Sequence, residues 1–252
     1  MINDAKEIAL LGGQFLKENF MKNIRIDIKG YKDLVTEVDY KCEEIVIKEI
    51  EKRFPKHSIL SEEKGFIDKN SEYKWILDPL DGTINFAKGI PLFGIILSLL
   101  HNEETIVGVI YLPMLNELYY CEKNKGAYLN DSKISVSNTS NLQDAIISVG
   151  DFNIGKDDEM KKKDNIEMSN IINKFSQSTM RTRCFGAASV DLSFLASGKT
   201  DALFYAFCSP WDVLAGELLL KESGGKITYL GDNNIYSNQK LHNSIVSKLA
   251  EL

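Results

Sequence analysis

Apolar residues recur at helical spacing through Val38, Cys42, Ile45, Val46, Ile50 and Phe54, which predicts an amphipathic helix over Asp39–Phe54 with its start marked by Thr36. Between about Phe93 and Tyr128 the pattern shortens to the runs "FGIILSLL", "TIVGVIYL" and "ELYYCE". Turn-like "HNEE" and "PMLN" separate them, as in an antiparallel meander. A polar stretch, "GDFNIGKDDEMKKKDN", follows. Ala187–Ala196 and Trp211–Glu222 are helical again, the second stopped by Gly224 and Gly225. Helices on either side of a run of strands imply a layered α/β or α+β sandwich. Neither a repeat nor a Pro/Gly/Ser linker divides the chain.

Composition narrows the function. The 252 residues are 44% hydrophobic and 26% charged, ordinary for a globular protein. A net charge of −6 argues against a nucleic-acid groove or a polybasic membrane patch. Cys42, Cys121, Cys184 and Cys208 form no C-x-x-C pair and read as reduced thiols. "MINDAKEIALLGG" is acidic where a signal peptide is basic, and "GIPLFGIILSLL" is far shorter than a membrane-spanning helix, so a cytoplasmic protein is expected.

Candidate chemistry centres on "WILDPLDGTINF". An apolar strand runs into Asp78, Pro79 denies the chain a ladder hydrogen bond, and a sharp turn is expected to bring Asp81 to the same side. Two converging carboxylates repel and are costly to desolvate, and a divalent cation removes both penalties. Oxygen donors suit Mg²⁺, which commonly binds carboxylates together with substrate phosphate. The same letters also make an ordinary polar turn.

Other acids repeat the design. Glu62 and Glu63 follow "HSIL", and Asp212 follows "SPW" at what is expected to be an exposed helix start. A solvated loop accounts equally for the glutamates, and a first-turn acid accounts for Asp212. Asp39 stands three residues after Thr36, the spacing of a capping box. Gly82 and Thr83, at a helix start, would offer backbone N–H groups to an anion.

In order along the chain, "DLVTEVD" (33–39), "SEE" (61–63), "DPLDGTINF" (78–86) and "PWDVLAGELLLKESGG" (210–225) resemble the inositol monophosphatase family of Mg²⁺-dependent, lithium-sensitive phosphatases. "GAASVDLSFLASGKTDA" (186–202) extends the likeness to nearly the whole chain. The resemblance implies an αβαβα sandwich, a single catalytic domain over 1–252 with two intimate halves of about 1–145 and 146–252, and a homodimer. It also implies two to three Mg²⁺ ions. Glu62, Asp78 and the Leu80 carbonyl would hold one, Asp78, Asp81 and Asp212 a second, and a weaker third would lie near Glu62. Glu62 and Thr83 would position the attacking water, with Asp39 hydrogen-bonded to Thr83. Metal-activated water would then displace the leaving alkoxide in line at phosphorus, with no covalent phosphoenzyme.

Nothing in the remaining motifs competes with this. His57, His101 and His242 make no H-E-x-x-H arrangement, and no Ser or Cys lies in a nucleophile motif. "SFLASGKT" (193–200) mimics the end of a P-loop, but Ser193 replaces its first Gly and the segment ends a helix instead of opening one. "GKDDEMKKKD" reads as a solvated or lid-like loop.

Substrate choice departs from the pattern of inositol-selective members, whose ring-contacting Glu falls at Tyr205. Ala188 matches a substrate-wall position without a hydrogen-bonding side chain. Arg181 and Arg183 could meet a second phosphate or simply edge a strand. A small phosphate monoester is expected, inositol monophosphate first. Fructose 1,6-bisphosphate, histidinol phosphate and 3′-phosphoadenosine 5′-phosphate are the alternatives. A regulatory binding protein that keeps the fold is the alternative class.

Overall fold

Residues 5, 8, 9, 12, 13 and 16 lie on one face of the first helix, α1 (Ile2–Asn19), and are buried. The computed structural model describes residues 1–30, 33–150, 158–206, 208–230 and 233–249. An antiparallel hairpin, β1 (Ile26–Gly30) and β2 (Asp33–Thr36), leads into α2 (Glu37–Arg53). This helix starts two residues before the expected Asp39, because Thr36 is its N-cap in a capping box with Asp39.

The first large sheet comprises β3 (Ser58–Ser61), β4 (Gly65–Ile67), β5 (Tyr73–Asp81), β6 (Gly94–His101), β7 (Glu104–Leu112), β8 (Glu117–Glu122), β9 (Ala127–Leu129) and β10 (Ser132–Ile134), with short α3 (Thr83–Ala87) after β5. Strand order is β10-β9-β8-β7-β6-β5-β3-β4. The strands from β6 to β9 form the expected antiparallel meander, and only β3 and β5 run parallel. One face packs Trp75, Leu77, Ile95 and Leu97 against Ile8, Cys42 and Val46 of the first two helices. Burial on both faces explains why the β6 run is continuously apolar instead of alternating.

The second half of the chain contributes β11 (Ile146–Val149), α4 (Asp158–Ser176), β12 (Arg181–Arg183), α5 (Ala188–Ala196), β13 (Ala202–Ala206), α6 (Pro210–Glu222), β14 (Lys226–Leu230), β15 (Asn233–Ser237) and α7 (His242–Leu249). Its sheet has the order β12-β11-β13-β15-β14. The paired helices α5 and α6 lie between the two sheets. On one side Ala215 and Leu219 meet Ile96, Ile110 and Cys121; on the other Leu192, Val213 and Leu220 meet Leu203 and Tyr236. Gly108 of β7 permits this closeness, since a Cβ there would stand 2.8 Å from the Ala215 carbonyl oxygen. Beyond the second sheet, α4 and α7 cover Ile147, Phe204 and Ile235 with Met168, Ile171, Phe175 and Ile245. The result is the five-layered αβαβα sandwich.

The charged stretch 155–164 differs from its expected loop form. From Asp158 onward it is the first part of α4, whose apolar face gathers later at Met168, Ile171 and Phe175. Residues 155–157 of the stretch lie outside the described residues. The P-loop mimic ends α5 instead of opening a helix, as expected, and Gly198 follows the helix at φ +75°.

Candidate active site

The site is built at the end of β5, where two irregularities follow one another. Parallel pairing sets Ser61 beside Leu77, so the next residues, Glu62 and Asp78, emerge together; the Glu62 N–H donates to the Leu77 carbonyl at 3.2 Å. On its other side, β5 pairs Asp78 with Ile96 and Asp81 with Gly94, three steps against two. The extra residue is a bulge at Pro79 and Leu80. In a regular strand two residues three apart face opposite ways, and the bulge restores Asp81 to the side of Asp78. The chain therefore does not turn between the aspartates, as the sequence suggested. It stays in the strand and turns at Gly82, whose φ is +87° and where a Cβ would stand 3.0 Å from that of Ala187. Thr83 then opens α3.

Asp78, Asp81 and Asp212 each bring a carboxylate oxygen within 4.8 Å of the others. Asp78 is buried and accepts the Leu80 N–H at 3.0 Å. Asp81 is gripped by the start of α5, accepting the Ala188 N–H at 3.1 Å, the Ser189 N–H at 2.7 Å and the Ser189 hydroxyl. Asp212 accepts the Ser209 N–H at 3.0 Å as the first-turn acid of α6. Pro210 at the head of the helix is exposed, as expected, but Asp212 is half-buried, because α6 is sandwiched between the sheets.

Such crowding is electrostatically costly. Burial, followed by Glu62, Asp81 and Asp212, pushes the Asp78 carboxyl well above the usual range. Burial raises Asp81 to about 6 against the hydrogen bonds from Ser189 and Ala188. Burial and then Asp81 raise Asp212 to about 7. Three hard oxygen donors held this close, and short of positive charge, fit a divalent cation such as Mg²⁺.

Beside them, the Thr83 hydroxyl lies 3.1 Å from Asp39 Oδ1 and 3.0 Å from the Leu80 carbonyl. One hydroxyl proton serves one of these acceptors at a time. Asp39 Oδ2 takes the Thr36 N–H at 2.9 Å and its hydroxyl at 2.5 Å, and burial lifts the Asp39 carboxyl to about 6. Glu62 is the outlying acid, meeting Lys29 Nζ of the β1–β2 hairpin at 3.1 Å, while Glu63 also pairs with Lys29.

Tyr205 is half-buried on β13, its ring over Gly150, where a Cβ would come within 2.9 Å of it. Burial first, then Asp191, Asp81 and Asp212, raise its hydroxyl, which puts the phenol beside the acidic cluster. The Ala188 side chain is buried, and its backbone is what serves Asp81. Arg181 and Arg183 lie exposed on β12, the edge of the second sheet, each donating to the carbonyl just before it. They match the strand-edge alternative. Sequence reasoning missed Ser189, Lys29 and Glu43; Glu43 alone had a signal, standing one helical turn after Asp39.

The model of the inositol monophosphatase family matches residues 1–251. A fructose-1,6-bisphosphatase/inositol-1-monophosphatase of Aquifex aeolicus is 39% identical over 96% of this chain and 92% of its own. A Nus factor SuhB of Pasteurella multocida is 32% identical over 94% of this chain and 87% of its own. The crystal structure of the extragenic suppressor protein suhB from Bartonella henselae superposes with a TM-score of 0.92 at 30% identity, covering 98% of this chain and 97% of that one. With the fold, the acidic cluster and the whole-length match in agreement, this chain belongs to the inositol monophosphatase family and is a phosphatase of that metal-dependent kind.

Proposed function

We propose that the protein is a Mg²⁺-dependent phosphomonoesterase for small sugar and polyol phosphates, with inositol monophosphate its leading substrate. The observation that carries this reading is the convergence of three largely buried carboxylates, from β5 and α6, within 4.8 Å. Glu62, Asp78 and the Leu80 carbonyl would hold one ion, Asp78, Asp81 and Asp212 a second, and a weaker third would lie near Glu62. When bound, Mg²⁺ supplies charge neutralisation for the phosphate and makes water a stronger nucleophile at neutral pH.

The chain's own groups supply orientation. Glu62 and Thr83 aim the attacking water, and Asp39 holds the Thr83 hydroxyl by accepting its hydrogen bond. Gly82 and Thr83 present backbone N–H groups toward the phosphate, while Tyr205 and Ala188 form the wall that meets the alcohol portion. Tyr205 stands where a carboxylate would accept hydrogen bonds from ring hydroxyls, so discrimination among polyols is loose.

Initial rates on inositol 1-phosphate, fructose 1,6-bisphosphate, histidinol phosphate, glycerol 2-phosphate and 3′-phosphoadenosine 5′-phosphate test this. Inositol 1-phosphate and at least one other polyol or sugar phosphate should be hydrolysed with kcat/KM values within about a hundredfold. Exclusive turnover of histidinol phosphate or of the adenosine compound overturns the inositol assignment. Tyr205→Glu should shift preference toward inositol phosphate.

The further properties expected are a cytoplasmic homodimer inhibited by lithium at saturating Mg²⁺. Light scattering at micromolar concentration and a lithium titration check the last two. The regulatory alternative draws on relatives named Nus factor. Failure to hydrolyse any of the five esters with Mg²⁺ bound would favour it.

A further inference from the structure

Glu43 is fully buried on α2, one turn beyond Asp39 on the same face of the helix. Its Oε1 receives three donors from the segment that carries Glu62: the Ser61 hydroxyl, the Glu63 N–H at 2.9 Å and the Lys64 N–H at 3.0 Å. Its Oε2 is buried with no hydrogen-bond partner among the described residues. A buried carboxylate is costly to desolvate, and this one is concentrated on a single turn of chain. That turn is also held by the Glu62 N–H to the Leu77 carbonyl, by the pairing of Ser61 with Gly65 and by Lys29, which meets Glu62 and Glu63.

We propose that Glu43 is a positioning residue for Glu62: from α2 it fixes the turn after β3 so that the Glu62 carboxylate faces Asp78, although among the described residues no hydrogen bond joins Glu43 to either side chain. The inference rests on the proposed role of Glu62 as a metal ligand. It makes α2 the common support of both groups that aim the water, since Asp39 holds Thr83 and Glu43 holds the turn that carries Glu62. Hydrogen bonds, not the negative charge as such, are what the turn needs. A glutamine side-chain oxygen can take the place of Oε1, with its amide nitrogen where Oε2 now meets no donor.

The test combines Mg²⁺ titration by calorimetry on the full chain with amide exchange of residues 62–64. Glu43→Ala should weaken the ion at Glu62 about tenfold to a hundredfold and strip protection from the Glu63 and Lys64 amides, with the ion at Asp78, Asp81 and Asp212 unchanged. Glu43→Gln should keep both affinities within about threefold and retain that protection. If Glu43→Ala does not fold, Glu43→Asp, one methylene too short to reach the turn, should give the same pair of losses.

Unchanged Mg²⁺ affinity in a folded Ala or Asp variant overturns the proposal. So does a Gln variant that loses the ion while its amides stay protected, since charge would then be what matters. Glu62→Gln separates the two levels. If it weakens an ion that Glu43→Ala leaves alone, only the positioning role fails; if it weakens none, the metal reading of Glu62 fails and the proposal falls with it.

Discussion

At the start of α2, Thr36 caps the helix and Asp39 follows three residues on; at the start of α6, Ser209 and Asp212 repeat the spacing. Each aspartate accepts its own cap's backbone N–H, Asp39 at 2.9 Å and Asp212 at 3.0 Å. They diverge at the second oxygen. Asp39 Oδ1 faces the Thr83 hydroxyl, so both of its oxygens have a protein donor within reach. Asp212 spends only Oδ2 on a donor among the described residues and shares the cluster with Asp78 and Asp81. One local motif therefore yields a saturated carboxylate suited to orienting a hydroxyl and an unsaturated one suited to holding a cation.

The hardest way to break this contrast is Asp212→Asn. Turnover should fall by about 10²–10³-fold, with Mg²⁺ affinity reduced and the fold retained. Wild-type kcat in a folded Asp212→Asn protein contradicts the assignment of a cation to that carboxylate. Asp39→Asn should cost less, about ten- to a hundredfold in kcat, with Mg²⁺ affinity nearly unchanged because Asp39 acts through Thr83. A loss of Mg²⁺ affinity there equal to that of Asp212→Asn would erase the distinction.

A third measurement reads the acids without turnover. In chelator, the folded carboxyls of Asp81, Asp212 and Asp39 stand at about 6, 7 and 6, above their ordinary 3.8. A raised acid favours the folded state fully below its unfolded pKa and loses that contribution as pH climbs through the folded value. The chelated Tm should therefore drop between about pH 4 and 7 and level off above, by roughly 2–4 °C per kcal/mol lost. Saturating Mg²⁺ should restore it most at the upper end. Asp212→Asn should flatten the chelated profile, and a profile that rises in this window contradicts the stated shifts.

Smallest is the effect of the caps. Thr36→Ala should cost about 1 kcal/mol of stability and also lower kcat, because the Thr36 hydroxyl holds Asp39 Oδ2. Ser209→Ala should leave kcat near wild type, since Asp212 is held by the Ser209 backbone N–H, which alanine keeps. Equal kcat losses in the two variants would show that the caps act alike.

Much of this site could be read from residue order. The Thr36 and Asp39 spacing, the apolar run into Asp78 and the acid after "SPW" each announced a carboxylate at an element's end, and their sum carried the family likeness. What could not be read was how Asp78 and Asp81 reach one side. A bulge depends on the register of the neighbouring strand, which no local letter records. The grip of Ser189 on Asp81 spans 108 residues and was equally hidden. In the fold, α1 escaped notice because Gly12 and Gly13 interrupt its apolar face. They are there because Cβ atoms would press on Ile95 and Tyr111. The charges of 158–164 disguised the start of α4 in the same way, its buried apolar face lying further along at Met168, Ile171 and Phe175.

The hold of α5 on Asp81 has a consequence for how the molecule comes together. Glu62 and Asp78 are brought side by side within the first sheet, whereas Asp81 is steadied by Ala188 and Ser189, and Asp212 arrives on α6. A cation held by Asp78, Asp81 and Asp212 would work as a clasp between early and late parts of the chain. Its affinity becomes a gauge of assembly, weak for a chain whose later helices are undocked and full only when they seat. By linkage, ambient Mg²⁺ then favours the seated form in proportion to how far it exceeds the dissociation constant. A lesion in the α5–α6 layer could silence the enzyme by unclasping it, with every metal ligand still in the sequence.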